Sequence, residues 1–422
     1  MRLTVTRAEL GGGGPGDAPD DRYHRQSLMP WWDQGRVSGA RVLVVGAGAL
    51  GCEALKTLAL MGVGSVLVYD MDAIERSNLS RGVLFRDADV GRPKAEVAVA
   101  ALPPLCPALR GTARTLNVVH GAGLGVFVWA DVVLGCVDNR EARIFVNTAC
   151  ARTGRVWIDG AIEGLSGIVR GFDPARGACY ECTMSAVDRR MVAERRSCAM
   201  LARDVVARGH VPTTAVAASI VGALQVQEAL KLLHGEAALV GEGLHLDGRW
   251  SEWSRARYPR RDDCTGHDAY AALETLDACV ARTTVGELLE RAERRFGEGA
   301  TLELSRDVVL RLTCPACGDS APGRAVLGAV TERSAACPAC GTHRVVEVAS
   351  SFTRDDGDAV LARTLGDLGL PPFDVVVARR GLDDAVAWLL AGDAAEVLGD
   401  VAPRAGERPL GAALPAASAG GA

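Results

Sequence analysis

Lysine is nearly absent: among 47 basic residues, only Lys56, Lys94 and Lys231 are lysines. Each survivor is therefore a position to inspect. The 52 acidic residues leave a net charge of −5, which excludes a general electrostatic grip on nucleic acid or an anionic membrane. No run reaches the roughly 18 uninterrupted apolar residues of a membrane span, and the apolar stretch from Val126 to Val137 is split by Asp131. The opening MRLTVTRAELGGGG has no apolar signal region, so cytoplasm is the expected compartment. No GxxxxGK[ST] occurs, which disfavours a P-loop kinase. What is present, 422 residues with 48% hydrophobic and 23% charged, describes a folded chain too long for one core.

The order of segments predicts residues 1–20 as a flexible lead, 21–268 as one large domain, 269–400 as a smaller unit and 401–422 as a disordered tail. RVLVV (Arg41 to Val45), a glycine cluster and a helix over Ala49 to Met61 read as strand, turn, helix. SVLVYD, a helical stretch at Lys94 to Ala101, ADVVLGCVD and a helix over Arg140 to Arg152 continue the alternation. The fold class is α/β, a Rossmann-like, mostly parallel sheet. Closely spaced strands after Arg155, a long helix from about Thr213 to Leu233 and strands near Leu244 and Trp253 predict an antiparallel extension. The smaller unit reads as α+β: TTVGELLERAERRFG is an amphipathic helix, and LELSRDVVLRL gives strands leading into a zinc ribbon.

Gly46, Gly48 and Gly51 follow a strand and open a helix, where backbone amides can approach a phosphate or ribose. Asp70, at the end of the next strand, can accept both ribose hydroxyls. These features alone leave a nicotinamide or flavin dehydrogenase open. The loop from Asp70 to Arg81 (DMDAIERSNLSR), Lys94 in GRPKAE and Asp138 in CVDNREAR separate the readings. Two cations able to neutralise a triphosphate and an acid able to hold Mg²⁺ suit chemistry at phosphorus. The plain alternatives are surface charges for Arg25, Arg81 and Lys94, and a helix cap for Asp138.

Cys314-Pro-Ala-Cys317 and Cys337-Pro-Ala-Cys340 match two zinc knuckles, and four thiolates leave no open position, so that site reads as structural Zn²⁺. Cys52, Cys106, Cys136, Cys150 and Cys279 lie in apolar or helical segments and read as core filler.

RYHRQ, GAGALG, YDMDAIERSNLSR, GRPK, CVDNREAR, CYEC and SIVGALQVQEALKLL, in that order, resemble the ubiquitin-activating enzyme superfamily over roughly Asp21 to His267. The likeness is strongest to bacterial adenylyltransferases that activate molybdopterin-synthase and thiamine sulfur carriers. It implies an ATP-dependent adenylyltransferase acting on the Gly-Gly carboxylate of a ubiquitin-like or sulfur-carrier protein, as a homodimer. Position by position, Asp70 would bind ribose; Asn78, Arg81 and Lys94 would contact phosphates; Asp138 would hold Mg²⁺. Asp72 would assist that pocket, and Arg25 would reach across a dimer interface. Relatives pair a first knuckle with a second CxxC; here Cys179 and Cys182 face Cys264 and His267, implying a second zinc. Cys198, after Arg195 and Arg196, stands where relatives carry a mobile cysteine that could take the acyl group. One departure is Gly82, where the family usually has Gln.

The smaller unit shows no cluster of acid, base and nucleophile and reads as a recognition unit for the carrier, a conjugating enzyme or a sulfur donor. The rival functions are adenylation of a peptide or RNA carboxylate for amide formation or cyclisation, and a non-catalytic nucleotide-binding docking subunit.

Overall fold

A computed structural model describes residues 21–185, 187–189, 211–381 and 383–412. Its larger sheet has eight strands in the order β3-β2-β1-β4-β5-β6-β7-β8. β1 (Arg41–Val45), β2 (Ser65–Tyr69), β3 (Arg110–Arg114), β4 (Val132–Gly135) and β5 (Trp157–Glu163) run parallel. β6 (Ser166–Phe172), β7 (Glu242–Asp247) and β8 (Glu252–Arg257) then add antiparallel. The expected parallel sheet with its antiparallel extension is therefore observed. Strand order reverses at β1, so the crevice beyond the carboxyl ends of β1 and β4 is the place where such sheets take a ligand.

Both faces of β1, β2 and β4 are covered, which explains strands without polar alternation. Val42 and Val44 point into one core with the helices Ala49–Met61, Lys94–Ala100 and Ala215–His234. Leu43 and Val45 point into the other with the helix Arg140–Thr153. Ala215–His234 is by length and composition apolar enough to cross a membrane, a feature that a search for uninterrupted runs passes over. Here more than half of its apolar window is buried, and its Gln225 amide donates to the carbonyls of Gly135 (2.9 Å) and Ile158 (3.1 Å), tying β4 to β5.

The second sheet has the order β11-β10-β13-β14-β9, with β12 also on β10. Its strands are β9 (Leu273–Leu276), β10 (Thr301–Thr313), β11 (Ser320–Pro322), β12 (Val345–Phe352), β13 (Val375–Arg380) and β14 (Asp384–Leu390). Val376, Ala378, Trp388 and Leu390 face the helix Val285–Phe296. Val375, Ala387 and Leu389 face the other way, into the core built on Leu43, Phe127 and Trp129. The smaller unit expected to stand apart thus shares a core with the first, because both faces of its sheet are apolar. Asp374 accepts from the Leu124 amide at 2.8 Å, and Arg306 donates to the carbonyls of Val119 and Ala122 across the same junction.

The tail expected from residue 401 differs as well, since 401–412 packs on the large sheet. Val401 is buried and accepts from the Trp129 indole, and Arg408 pairs with the nearly buried Asp131.

Candidate functional site

The glycine cluster separates by role. Gly46 has φ +99°, and a Cβ there would stand 2.4 Å from the Cys136 carbonyl; one on Gly51 would stand 2.0 Å from the Gly46 carbonyl. Close strand-to-helix packing requires both. Gly48, the residue before the helix Ala49–Met61, would meet nothing within 4 Å. Its open side is where backbone amides at the helix start face the crevice.

Asp70 follows β2 and is pinned at both oxygens, Oδ2 by the Ala47 amide (2.7 Å) and Oδ1 by the Asp72 amide (2.8 Å). Each oxygen keeps acceptor capacity. Burial pushes the Asp70 carboxyl above the ordinary carboxylate range, against the pull of these amides and of Lys94. Lys94 opens the helix Lys94–Ala100, and its Nζ lies 3.0 Å from Asp72 Oδ2. The Lys94 amide also donates to the Asp72 carbonyl at 2.9 Å. These contacts close the loop that starts at Asp70 over the helix terminus.

Within that loop, the Asn78 side chain accepts from the Glu75 amide at 3.0 Å, and Arg81 Nη1 donates to the Ser77 carbonyl at 2.7 Å. Arg81 is half-buried and pairs with no carboxylate among the described residues. Gly82, the departure from the family, is buried; a Cβ there would lie 2.4 Å from the Phe85 ring, so this loop has no room for the usual Gln.

Asp138 lies just beyond β4 and is exposed. The cap of the helix Arg140–Thr153 is Asn139, which accepts from the Ala142 amide at 2.8 Å. Capping therefore does not account for Asp138, whose exposed carboxylate accepts from the Asn139 side chain at 3.2 Å. Gly48, Asp70, Asp72, Lys94 and Asp138 all lie at carboxyl ends of neighbouring strands or on the helix and loop that follow them.

Arg25 is not brought to this place. Its short helix, His24–Ser27, sits at the far end of Ala49–Met61, where Gln26 reaches Met61 Sδ at 3.5 Å. A helix of that length separates the two ends by about 20 Å, so this arginine does not serve the crevice of its own chain. Cys198 lies outside the described residues.

Sequence reasoning missed a buried ion cluster beside the crevice. Asp159 on β5 is fully buried between Arg143 (3.0 Å) and Arg170. Arg143 also donates to the carbonyls of Val137 and Gly160 and so fixes the turn that precedes Asp138. A lone acid inside VWIDG was the available signal, since a buried carboxylate demands a partner.

Both cysteine sets are assembled. Cys179 Sγ lies 3.8 Å from Cys182 Sγ and 3.6 Å from Cys264 Sγ, and His267 Nε2 lies 3.2 Å from Cys182 Sγ. Asn147 holds the two halves together, accepting from the Tyr180 amide and donating to the Gly266 carbonyl. In the other set, Cys314 to Cys340, Cys317 to Cys337 and Cys340 to Cys317 measure 3.5, 3.6 and 3.7 Å. Tetrahedral zinc with bonds of about 2.3 Å sets sulfurs about 3.8 Å apart, so both sets fit it. The two ribbon knuckles repeat one turn: Gly318 (φ +76°) donates to the Cys314 carbonyl, and Gly341 (φ +74°) to the Cys337 carbonyl. The cysteines read as core filler are all buried, and every cysteine among the described residues is free of disulfides.

The ThiF family model matches residues 23–266. A SAMP-activating enzyme E1 of Haloferax volcanii is 34% identical over 270 residues, 62% of this chain and 95% of that protein. A sulfur carrier protein adenylyltransferase of Thermus thermophilus is 36% identical over 259 residues, covering 58% and 89%. The sulfur carrier protein ThiS adenylyltransferase of Escherichia coli is 32% identical over 247 residues, covering 58% and 93%. Among solved structures, E. coli MccB with ATP shares the fold at a TM-score of 0.50 and 21% identity, over 60% of this chain and 75% of that one. With a match that spans more than half its length and a crevice built as described, the chain belongs to the ThiF family, as an enzyme of the adenylyltransferase class.

Proposed function

We propose that this enzyme uses Mg·ATP to adenylylate the C-terminal Gly-Gly carboxylate of a small ubiquitin-like or sulfur-carrier protein. The observation that carries the reading is the doubly pinned Asp70 between the open face of Gly48 and the Lys94–Asp72 pair. In this reading Asp70 accepts the ribose hydroxyls, while Asn78, Arg81 and Lys94 draw charge from the phosphates. Asp138 would hold Mg²⁺, whose chemistry is to neutralise the polyphosphate. A carboxylate oxygen of the carrier attacks the α-phosphorus; the bond from that phosphorus to the bridging oxygen breaks, and pyrophosphate leaves. The product is an acyl adenylate, and positive groups fixed in advance stabilise the charge that develops.

Arg25 lies far from its own crevice, which supports its action on a partner's nucleotide in a homodimer. The Cys198 thiolate would then attack the acyl adenylate carbonyl and release AMP. Zn²⁺ would fill both cysteine sets in structural roles, and reduced thiolates accord with a cytoplasmic location.

The test is exchange of labelled pyrophosphate into ATP. Exchange that requires a Gly-Gly-ended sulfur carrier, and fails with the same carrier lacking its last glycine, supports the reading. Exchange independent of any carrier, or driven equally by a short peptide, overturns it.

A further inference from the structure

β9 ends the second sheet, with β14 on one side and no strand on the other among the described residues. The Ala387 amide donates to the Ala272 carbonyl, so alternate residues from Ala272 face β14. Leu273 and Thr275, both exposed, therefore present their backbone N–H and C=O groups outward. Such an edge is a template for an added strand.

The face of this edge carries a charge pattern. Glu274 on β9 is the register partner of Trp388 on β14, and the Trp388 side chain faces the helix Val285–Phe296. Between that helix and the two strands lies a cavity of about 380 Å³ lined by Glu274, Arg291, Arg294, Arg295 and Trp388. Three guanidinium groups meet one carboxylate there, an excess of two positive charges in a chain of net −5. Arg295 pairs with Glu274 at 2.7 Å, and Arg294 reaches Glu290 only at 4.0 Å. Arg291 has no carboxylate partner among the described residues; its guanidinium stands 5.9 Å from the centre of the Trp388 ring.

We propose that β9 and this cavity bind an extended acidic segment of a partner protein by strand addition. Pairing with Leu273 and Thr275 fixes the segment's register, and its alternate side chains then fall on the helix side, under the arginines. Carboxylates at those positions meet Arg291 and Arg294 in charge-assisted pairs, and basic or proline-containing segments are rejected. The arginine-bearing face of the amphipathic helix would thus read sequence while the strand edge supplies affinity.

The probe is a fluorescein-labelled nine-residue peptide with glutamate at alternate positions between valine and threonine, alongside the same peptide with glutamine for glutamate. Titrated into the full-length protein, the acidic peptide should bind at least about tenfold more tightly and should slow amide exchange at Leu273 and Thr275. An Arg291→Gln/Arg294→Gln double variant should lose that preference while retaining pyrophosphate exchange, which checks its fold. Equal affinity for the two peptides, unprotected amides, or unchanged preference in the double variant overturns the proposal. So does full displacement by inorganic tripolyphosphate with the edge amides still unprotected, which would reveal a bare anion patch.

Discussion

The ammonium of Lys94 sits 3.0 Å from the carboxylate of Asp72, with only 13% of the lysine side chain exposed. A lysine this enclosed, held by a half-buried carboxylate, is an aimed cation. Lys94→Ala should lower the rate of pyrophosphate exchange by about 10²–10³-fold, the cost of losing one fixed positive donor at a phosphate. Lys94→Arg should not restore it, because the planar fork does not fit the space of a compact ammonium. Initial rates with saturating carrier decide the matter.

The two glycines at the helix start should respond oppositely. Gly48→Ala has open space and an ordinary φ of −74°, so the variant should melt as the parent does while binding ATP roughly tenfold more weakly, its methyl standing where a phosphate approaches. Gly46→Ala should instead fail in folding, since its Cβ would collide with the Cys136 carbonyl at a φ of +99°. Calorimetry and ATP titration separate the outcomes.

Asp70 predicts a pH dependence. Its carboxyl is raised in the folded protein by burial, so the folded chain takes up that proton more readily than the unfolded chain as pH falls. The contribution of Asp70 to stability is therefore fully present below its unfolded value and is lost as pH rises through the raised one. Nucleoside binding runs the other way, since protonation removes an acceptor from the ribose site. Affinity for adenosine, which carries no titrating phosphate, should weaken as pH falls through the raised range of the Asp70 carboxyl, and Asp70→Asn should flatten that profile.

The metal sites predict stoichiometry. The protein as purified should hold one zinc in each of the two cysteine sets, and Cys314→Ser or Cys179→Ser should each remove one of them. The ribbon variant should retain pyrophosphate exchange. Strong chelation should lower the melting temperature, because metal-binding energy at a closed four-ligand site is folding energy. Elemental analysis and thermal melts provide the check.

Asp131 and Arg408 predict the worth of the packed segment 401–412. Asp131 is nearly buried and holds the Arg41 amide at 2.8 Å as well as Arg408. Arg408→Ala leaves that carboxylate without its buried ion-pair partner and should cost about 3 kcal/mol in urea denaturation. Arg408→Lys should recover part of the loss.

Most of the large sheet was legible because β1, β2 and β4 are short apolar runs that meet a glycine or an acid at their ends, and its helices carry ordinary caps such as Thr214 and Asn139. The edge strand β3, with arginine at both ends and no apolar run, carried no such signal and went unread. The ribbon knuckles were legible because two cysteines at fixed spacing leave few geometries. The Cys264–His267 half became legible only through family likeness. What escaped was long-range. Nothing local in DVVVARR marks Val375 and Val376 for two different cores, and nothing in Arg408 announces Asp131 as its partner, 277 residues away. Arg143 escaped because a helix-face arginine is commonplace until its acid is located.

Because Val375, Ala387 and Leu389 lie in the same apolar layer as Leu43 and Trp129, the boundary near residue 269 is a seam in the chain and not in the body. A protease nick there should leave the two fragments associated, and expressing residues 21–268 alone should yield an aggregation-prone half.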